Sequence, residues 1–172
     1  MILIGLGSNM GDREKNLEKA LYLLEQDEAI VLDRISGIYE SAPYGVTDQA
    51  DFLNMVAVVV TMLSPFQLLD RCLAVENALG RWRTRHWGPR IIDIDLLVYD
   101  QVELTEPALT LPHPGLFQRA FVLAPLLEIM ADDWLIAGRT KQEVAAGLMQ
   151  ISGQGIQLWK RVQWDSVKKC FA

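Results

Sequence analysis

The pattern of hydrophobic positions in the first hundred residues predicts four strands. Residues 2–7 form a short apolar run, residues 30–39 suit a second strand, and residues 52–61 are rich in β-branched side chains, as central strands are. In the fourth, Ile92, Ile94, Leu96 and Val98 alternate with Ile91, Asp93, Asp95, Leu97 and Tyr99. Because successive strand side chains point to opposite faces, the first set is predicted to face the core, and both aspartates share the other face.

Helical periodicity places one helix after the first strand and another after the third. Leu17, Ala20, Leu21 and Leu24 mark the apolar side of the first helix, and Asp12 is its candidate cap. Ser64, Pro65 and Gln67 have the pattern of a capping box, and Gly80 predicts the end of that helix. The order strand, helix, strand, strand, helix, strand predicts an α+β fold with a ferredoxin-like βαββαβ core, in which helices pack on an antiparallel sheet.

The pattern after residue 100 is less regular. We expect a hairpin near residues 100–103, helices at about 117–130 and 141–149, and an edge strand within residues 156–164. Thr140 and Glu143 form a second capping box. We expect a single domain over residues 1–164 and a loose C-terminal tail over residues 165–172.

Composition and charge exclude several classes of protein. A chain of 172 residues with 51% hydrophobic content supports one core. The net charge of -6 argues against general binding to nucleic acid or to acidic membranes. No apolar run approaches the roughly 20 residues of a membrane span, and the N-terminus lacks the basic region of a signal peptide. With only Cys72 and Cys170, a disulfide framework and a zinc site are excluded. We therefore expect a cytoplasmic monomer.

The segment from Gly80 to Asp95 indicates the chemistry. Four arginines and two tryptophans stand close to Asp93 and Asp95. On a strand the α-carbons of these aspartates would lie about 7 Å apart, so their carboxylates can reach one cation or bracket two. Carboxylates, phosphate oxygens and water are the usual ligands of magnesium. An isolated Asp-x-Asp would more often be solvated surface, but the arginines favour a polyphosphate bound with its metal.

Three other residues have both a structural and a functional interpretation. Glu76 lies on the apolar face of the second predicted helix, where it suits either an ion pair with a nearby arginine or a ligand contact. His113 stands between two prolines that restrict its backbone, and it suits either a local hydrogen bond or a phosphate contact. Gly7 precedes Ser8 and Asn9 in a segment that lacks both phosphate-loop motifs, so a tight turn is favoured.

Several motifs together resemble one family. The main one runs from Arg83 to Leu97 as Arg-x-x-His-Trp-Gly-Pro-Arg-Ile-Ile-Asp-Ile-Asp-Leu-Leu. The others are Gly5-Leu6-Gly7-Ser8-Asn9, Ala42-Pro43-Tyr44-Gly45, Asp51-Phe52-Leu53-Asn54, Leu111-Pro112-His113 and Arg119-Ala120-Phe121. Over about residues 2–130 the chain resembles the 6-hydroxymethyl-7,8-dihydropterin pyrophosphokinases. These folate-pathway enzymes transfer the terminal pyrophosphate of ATP to a pterin alcohol.

The resemblance implies a role for each matching residue. Asp93 and Asp95 would hold two Mg²⁺ ions, and Arg81 and Arg90 would be catalytic. The implied ATP contacts are Glu76, Arg83, Trp87, Leu96, Thr110, His113 and Arg119. The implied pterin contacts are Gly7, Ala42, Pro43, Tyr44, Asn54, Trp87 and Phe121. The pterin hydroxymethyl oxygen would attack the β-phosphorus of ATP, AMP would leave, and the proton would pass either to Asp95 or to water.

Two other functions fit parts of the pattern. A magnesium-dependent nucleotidyltransferase would also place paired aspartates on a strand, but it would release pyrophosphate where the kinase releases AMP. A ferredoxin-like module that binds RNA or a small ligand would share the strand order. The acidic charge weighs against the RNA-binding form of such a module.

Overall fold

The protein, described by a computed structural model over residues 1–45, 47–80 and 89–172, is a mixed α+β fold, as predicted. The first half contains β1 (Ile2–Ser8), α1 (Arg13–Leu24), β2 (Ile30–Ile35), β3 (Ile38–Ser41), β4 (Phe52–Thr61), α2 (Pro65–Ala78) and β5 (Asp93–Tyr99). The second half contains β6 (Leu104–Glu106), β7 (Leu109–Leu111), α3 (Ala120–Ile129), α4 (Lys141–Gln150), β8 (Ile156–Lys160), β9 (Trp164–Asp165) and β10 (Cys170–Phe171).

The main sheet is antiparallel and runs in the order β5-β1-β4-β3-β8, with β2 also paired to β4. On β1, Gly7 lies opposite Asn54 of β4 on one side and opposite Asp93 of β5 on the other. Gly5 lies opposite Val56 and Asp95 in the same way. The pairing therefore brings the predicted carboxylates and the predicted pterin-binding amide to one region of three adjacent strands.

Helices cover both faces of this sheet. On the first face α1 and α2 pack in one core cluster with β1, as the predicted apolar spacing requires. Cys72 of α2 is fully buried there, and this burial raises the pKa of its thiol to about 12. On the second face α3 and α4 pack against Leu3, Val56 and Val58. Both predicted capping boxes and the Asp12 cap are present.

The strand predicted at residues 30–39 is two strands, because the chain is interrupted at Ser36 and Gly37. The buried Ser36 side chain accepts from Val56 N at 3.0 Å and donates to Gly37 O at 2.7 Å. Its backbone N donates to Val56 O at 2.9 Å. The serine hydroxyl takes the place of a ladder partner here, so β2 and β3 pair separately with β4.

A bulge in β5 reverses the faces predicted for Val98 and Tyr99, and Tyr99 packs against the first-face core with Ile94. Ile4 pairs with Leu96 and Leu3 pairs with Val98, so Leu97 is an extra residue on β5. Leu97 and Val98 consequently both pack in the second-face core, and the prediction that Val98 shares a face with Ile94 was wrong. Asp93 and Asp95 precede the bulge, and both line one cavity on the second face.

The hairpin and the strand around Trp164 differ from the prediction. The hairpin pairs β6 with β7, beyond the turn predicted at residues 100–103. Trp164 belongs to β9 and not to β8, which lies at the edge of the main sheet as expected and pairs there with β3. Among the described residues, the helices include none with the length and hydrophobicity of a membrane span.

The C-terminal residues, which we expected to be loose, are attached to α1. The short strand β10 pairs with β9. Phe171 N donates to Glu18 Oε1 at 2.8 Å, and Lys169 Nζ lies 2.7 Å from Glu25 Oε2. Trp164 Nε1 also donates to Glu25. The prediction missed this order because it depends on partners more than a hundred residues away in the chain.

Candidate active site

Glycines on β1 create a cavity on the second face of the sheet. Leu3 of β1 packs under α3, but Gly5 and Gly7 follow it on the same face without side chains. The cavity has a volume of about 210 Å³. Its lining includes predicted residues from every part of the site: Gly7, Ala42, Tyr44, Asn54, Arg90, Asp93, Asp95, His113, Arg119 and Phe121. The structure thus brings together residues that are distant in sequence.

One side of the cavity carries the charged groups. Asp93 and Asp95 expose 24% and 39% of their side chains, so both carboxylates are accessible to a ligand. Arg90 Nη1 lies 2.6 Å from Asp93 Oδ2, and Arg119 Nη1 lies 3.9 Å from Asp95 Oδ2. Each carboxylate therefore has a guanidinium beside it, and the arrangement suits a ligand that combines cations with phosphates.

The two carboxylates suit magnesium better than a metal that is held entirely by protein side chains. In the part of the chain that the structure describes, no group of three or more His, Cys, Asp or Glu side chains could hold a metal ion. Magnesium commonly takes one or two carboxylates and completes its shell with substrate phosphates and water. Asp93 and Asp95 are two carboxylates at the cavity wall that suit such a shell.

His113 is held with one ring nitrogen available to a ligand. Gly115 N donates to His113 Nδ1 at 2.9 Å, and His113 N donates to Leu97 O at 2.8 Å. Burial lowers the pKa of His113 below its ordinary value, Arg119 lowers it further, and Asp93 acts in the opposite direction. In the neutral ring, Nδ1 is the acceptor, so Nε2 carries the proton and can donate to an anion.

We expect His113 to titrate below the ordinary histidine pKa of 6.5. Because the unfolded chain then binds more protons than the folded one, His113 contributes stability above pH 6.5 that is lost as the pH falls through the folded pKa. NMR titration can measure this, since the chain has two histidines and His113→Asn identifies the resonance. The same variant should flatten the acid side of the stability profile. A His113 pKa at or above 6.5 would contradict the assignment.

The other side of the cavity is aromatic and amidic. Tyr44 and Phe121 meet edge to face with ring centroids 6.4 Å apart, and the Arg119 guanidinium lies 5.5 Å from the first ring and 5.7 Å from the second. The buried Asn54 donates to Ser41 Oγ at 2.8 Å. A flat heterocycle with polar edges suits this combination of ring faces and an oriented amide.

Replacing Gly7 with alanine tests how much room the aromatic side of the cavity leaves for a substrate. An added Cβ would lie 3.3 Å from Asn54 Oδ1 and 3.5 Å from Phe52 Cδ1. We expect Gly7→Ala to raise the KM for the heterocyclic substrate about tenfold or more, since one methylene in a pocket has effects of that size. Gly153→Ala is the control, because nothing lies within 4 Å of the added Cβ there. An unchanged KM in steady-state kinetics would remove Gly7 from the pocket floor.

Some predicted residues lie elsewhere. Among the described residues, Pro43 and the predicted ATP contacts Glu76, Leu96 and Thr110 are outside the cavity lining. Glu76 is buried beneath β5, where its Oε1 accepts from Ile94 N at 2.7 Å. Leu96 lies two residues after Ile94 on β5, which is at the edge of the sheet. The backbone polar groups of both residues therefore face away from β1. Arg81, Arg83 and Trp87 lie outside the described residues.

Sequence reasoning missed two polar residues of the site. Ser41 orients Asn54, as described above. Asn9 belongs to a predicted turn and to one of the family motifs but had no predicted role of its own, yet it contacts both Arg90 and residues 49–50. The available signal was weak: a polar residue that directly follows a buried strand is a candidate for such a role, but its distant partners are not readable from the local pattern.

Comparisons with known proteins indicate one family. A family model described as 7,8-dihydro-6-hydroxymethylpterin-pyrophosphokinase (HPPK) matches residues 3–131. The chain is 41% identical over 158 residues to a 2-amino-4-hydroxy-6-hydroxymethyldihydropteridine pyrophosphokinase of Bacillus subtilis, covering 92% of this chain and 89% of that protein. A protein of the same name from Methylorubrum extorquens is 46% identical over 145 residues, covering 84% of this chain and 91% of that one.

A solved structure shares the fold. It is the Plasmodium falciparum HPPK-DHPS wild type with pterin and p-hydroxybenzoate, with a TM-score of 0.69 at 16% identity. The match covers 94% of this chain and 46% of that chain, so the likeness extends over less than half of the longer protein.

Proposed function

Since the chain belongs to the 7,8-dihydro-6-hydroxymethylpterin-pyrophosphokinase family, we propose that ATP is its pyrophosphate donor and that Mg²⁺ is required. The enzyme transfers pyrophosphate to hydroxymethyldihydropterin in folate biosynthesis. The observation that supports the proposal best is that one cavity combines two carboxylates and their adjoining arginines with aromatic rings and an oriented amide.

The pterin would occupy the aromatic side of the cavity. Phe121 offers a ring face, Ser41 holds the Asn54 amide for hydrogen bonding to a heterocycle edge, and Ala42 and Tyr44 complete this side. The floor made by Gly5 and Gly7 leaves room for a flat ring, because neither glycine has a side chain. The substrate hydroxymethyl group would then point along the cavity toward the carboxylates.

ATP would occupy the charged side. Asp93 and Asp95 would hold Mg²⁺, which when bound neutralises phosphate charge and orients the triphosphate. Arg90 and Arg119 would donate to phosphate oxygens and stabilise the negative charge of the transition state. His113 would donate from Nε2. The nucleoside would lie along the outer edge of β5, near Leu96, Glu76 and Thr110 of the neighbouring β7. In this proposal the protein acts by alignment and charge, and no covalent intermediate with the enzyme is required.

The proposed reaction is attack of the pterin hydroxymethyl oxygen on the β-phosphorus, with AMP leaving. ATP labelled at both the β and γ phosphates tests it directly, with Mg²⁺ and the reduced pterin alcohol present. Both labels should appear on the pterin product in equal amounts, together with one equivalent of unlabelled AMP. Labelled free pyrophosphate with a nucleotidyl-pterin product would favour the nucleotidyltransferase alternative, and intact ATP would favour a binding module.

A further inference from the structure

Asn9 holds the backbone of Arg90 from two directions. This residue is 4% exposed and follows β1 directly. Its backbone N donates to Arg90 O at 3.0 Å, and its side-chain Oδ1 accepts from Arg90 N at 2.7 Å. Because both peptide groups of Arg90 have the same partner residue, a displacement of Asn9 displaces the arginine backbone with it.

The same side chain also holds the segment that leads from the pterin side of the cavity. Asn9 Nδ2 donates to Gln49 Oε1 at 2.9 Å and to Ala50 O at 3.0 Å. These residues end the connection between β3 and β4, whose beginning supplies Ala42 and Tyr44 to the cavity lining. Arg13 adds a second attachment nearby, since its Nη1 donates to Asp51 O at 2.9 Å. One buried amide thus joins the pterin side of the site to the phosphate side.

We propose that Asn9 is a positioning residue that couples residues 49 and 50, just before β4, to the orientation of Arg90. The inference rests on the proposed function, because it concerns how Arg90 is aimed at the reacting phosphate. Asn9 itself is absent from the cavity lining formed by the described residues, so it acts through its hydrogen-bond partners. Its acceptor serves Arg90 and its donors serve residues 49 and 50, and the two halves of the amide can therefore be separated by substitution.

Two substitutions separate these contacts. Asn9→Asp keeps an acceptor for Arg90 N but turns a carboxylate oxygen toward Ala50 O, which has no proton to donate. Asn9→Ala removes the contacts to both segments. Asn16→Ala is the matched control, because Asn16 Nδ2 donates to Ser8 Oγ and Met10 O in the same turn. The control thus loosens the turn without removing a contact to Arg90 or to residue 50.

Steady-state kinetics should separate the effect of the Asn9 acceptor, which contacts Arg90, from that of its donor, which contacts residues 49 and 50. We expect Asn9→Ala to lower kcat about a hundredfold, as small misplacements of catalytic groups do. Asn9→Asp should mainly raise the KM for the pterin, and Asn16→Ala should keep both constants. In an Arg90→Ala background, Asn9→Ala should lower kcat by no more than about twofold further, because its effect passes through Arg90. Equal losses in both backgrounds, or an Asn9→Ala enzyme that matches Asn16→Ala, would overturn the inference.

Hydrogen exchange measured without substrates makes the test independent of activity. Exchange at the Arg90 amide should accelerate in Asn9→Ala and remain at the wild-type rate in Asn16→Ala. If the exchange rate of the Arg90 amide were unchanged in Asn9→Ala, the inference that Asn9 holds Arg90 would be overturned even if the kinetics changed. A wild-type protein that forms no pterin diphosphate would instead contradict the proposed function, and the exchange rates would still decide whether Asn9 holds Arg90.

Discussion

Replacing Arg90 with alanine is expected to lower turnover about a thousandfold, because arginines that neutralise phosphoryl-transfer transition states have effects of this size. The Arg90 guanidinium lies 2.6 Å from Asp93 at the charged side of the cavity. The substitution removes that charge but leaves the backbone contacts to Asn9, which involve only Arg90 N and O. The loss should therefore appear in kcat with little change in thermal stability.

Two variants make the Arg90 result specific. Arg90→Lys keeps the charge but loses the planar fork of donors, and we expect its turnover to lie between those of wild type and Arg90→Ala. Arg161→Ala makes the same change in net charge at an arginine whose side chain is 76% exposed and paired with Glu128. It should retain wild-type turnover. An Arg90→Ala enzyme with near-normal turnover would remove Arg90 from the mechanism.

Replacing Asp95 with asparagine is the second change with a large expected effect. The substitution preserves the shape of the side chain but removes one of the two carboxylates that we propose for Mg²⁺. Turnover should fall about a hundredfold or more, the scale seen when a group that stabilises transition-state charge is lost. A higher Mg²⁺ concentration should recover part of the activity, because the remaining carboxylate, Asp93, still lines the cavity.

The matched control for this change is Asp132→Asn. The Asp132 side chain is 95% exposed and contacts Lys141, so its replacement alters the net charge equally on the outer surface. Assays over a range of Mg²⁺ concentrations should show an altered metal dependence for Asp95→Asn and an unchanged one for Asp132→Asn. If Asp95→Asn kept both the turnover and the Mg²⁺ dependence of the wild type, the carboxylate would have no part in metal binding.

The elements predicted correctly are those specified by local signals. Capping residues and apolar spacing define α1, α2 and α4, and β-branched residues define β4. The two errors in the central sheet arise from contacts across strands. Ser36 interrupts the predicted second strand by bonding to Val56, and the bulge at Leu97 depends on the register with β1. The sequence pattern of one strand contains no information about its partner's register.

In the site too, residues that are close in sequence could be predicted from local spacing, whereas distant partners could not. Asp93, Asp95 and Arg90 are close in sequence, and their spacing was sufficient to predict a shared face and a nearby guanidinium. Asn54, His113 and Phe121 are distant in sequence and were assigned through the family resemblance, and the structure places them in the same cavity. Asn9 was missed, because its partners lie about 40 and 80 residues away and a buried amide has no local signature.

The most direct test of the account is calorimetric titration of a non-hydrolysable ATP analogue, with and without Mg²⁺, into the wild type and the Asp93→Asn, Asp95→Asn double variant. Mg²⁺ should strengthen binding of the analogue to the wild type and should have no such effect on the double variant. If the double variant gained as much affinity from Mg²⁺ as the wild type, the two carboxylates would not be the metal site and the proposed mechanism would be wrong.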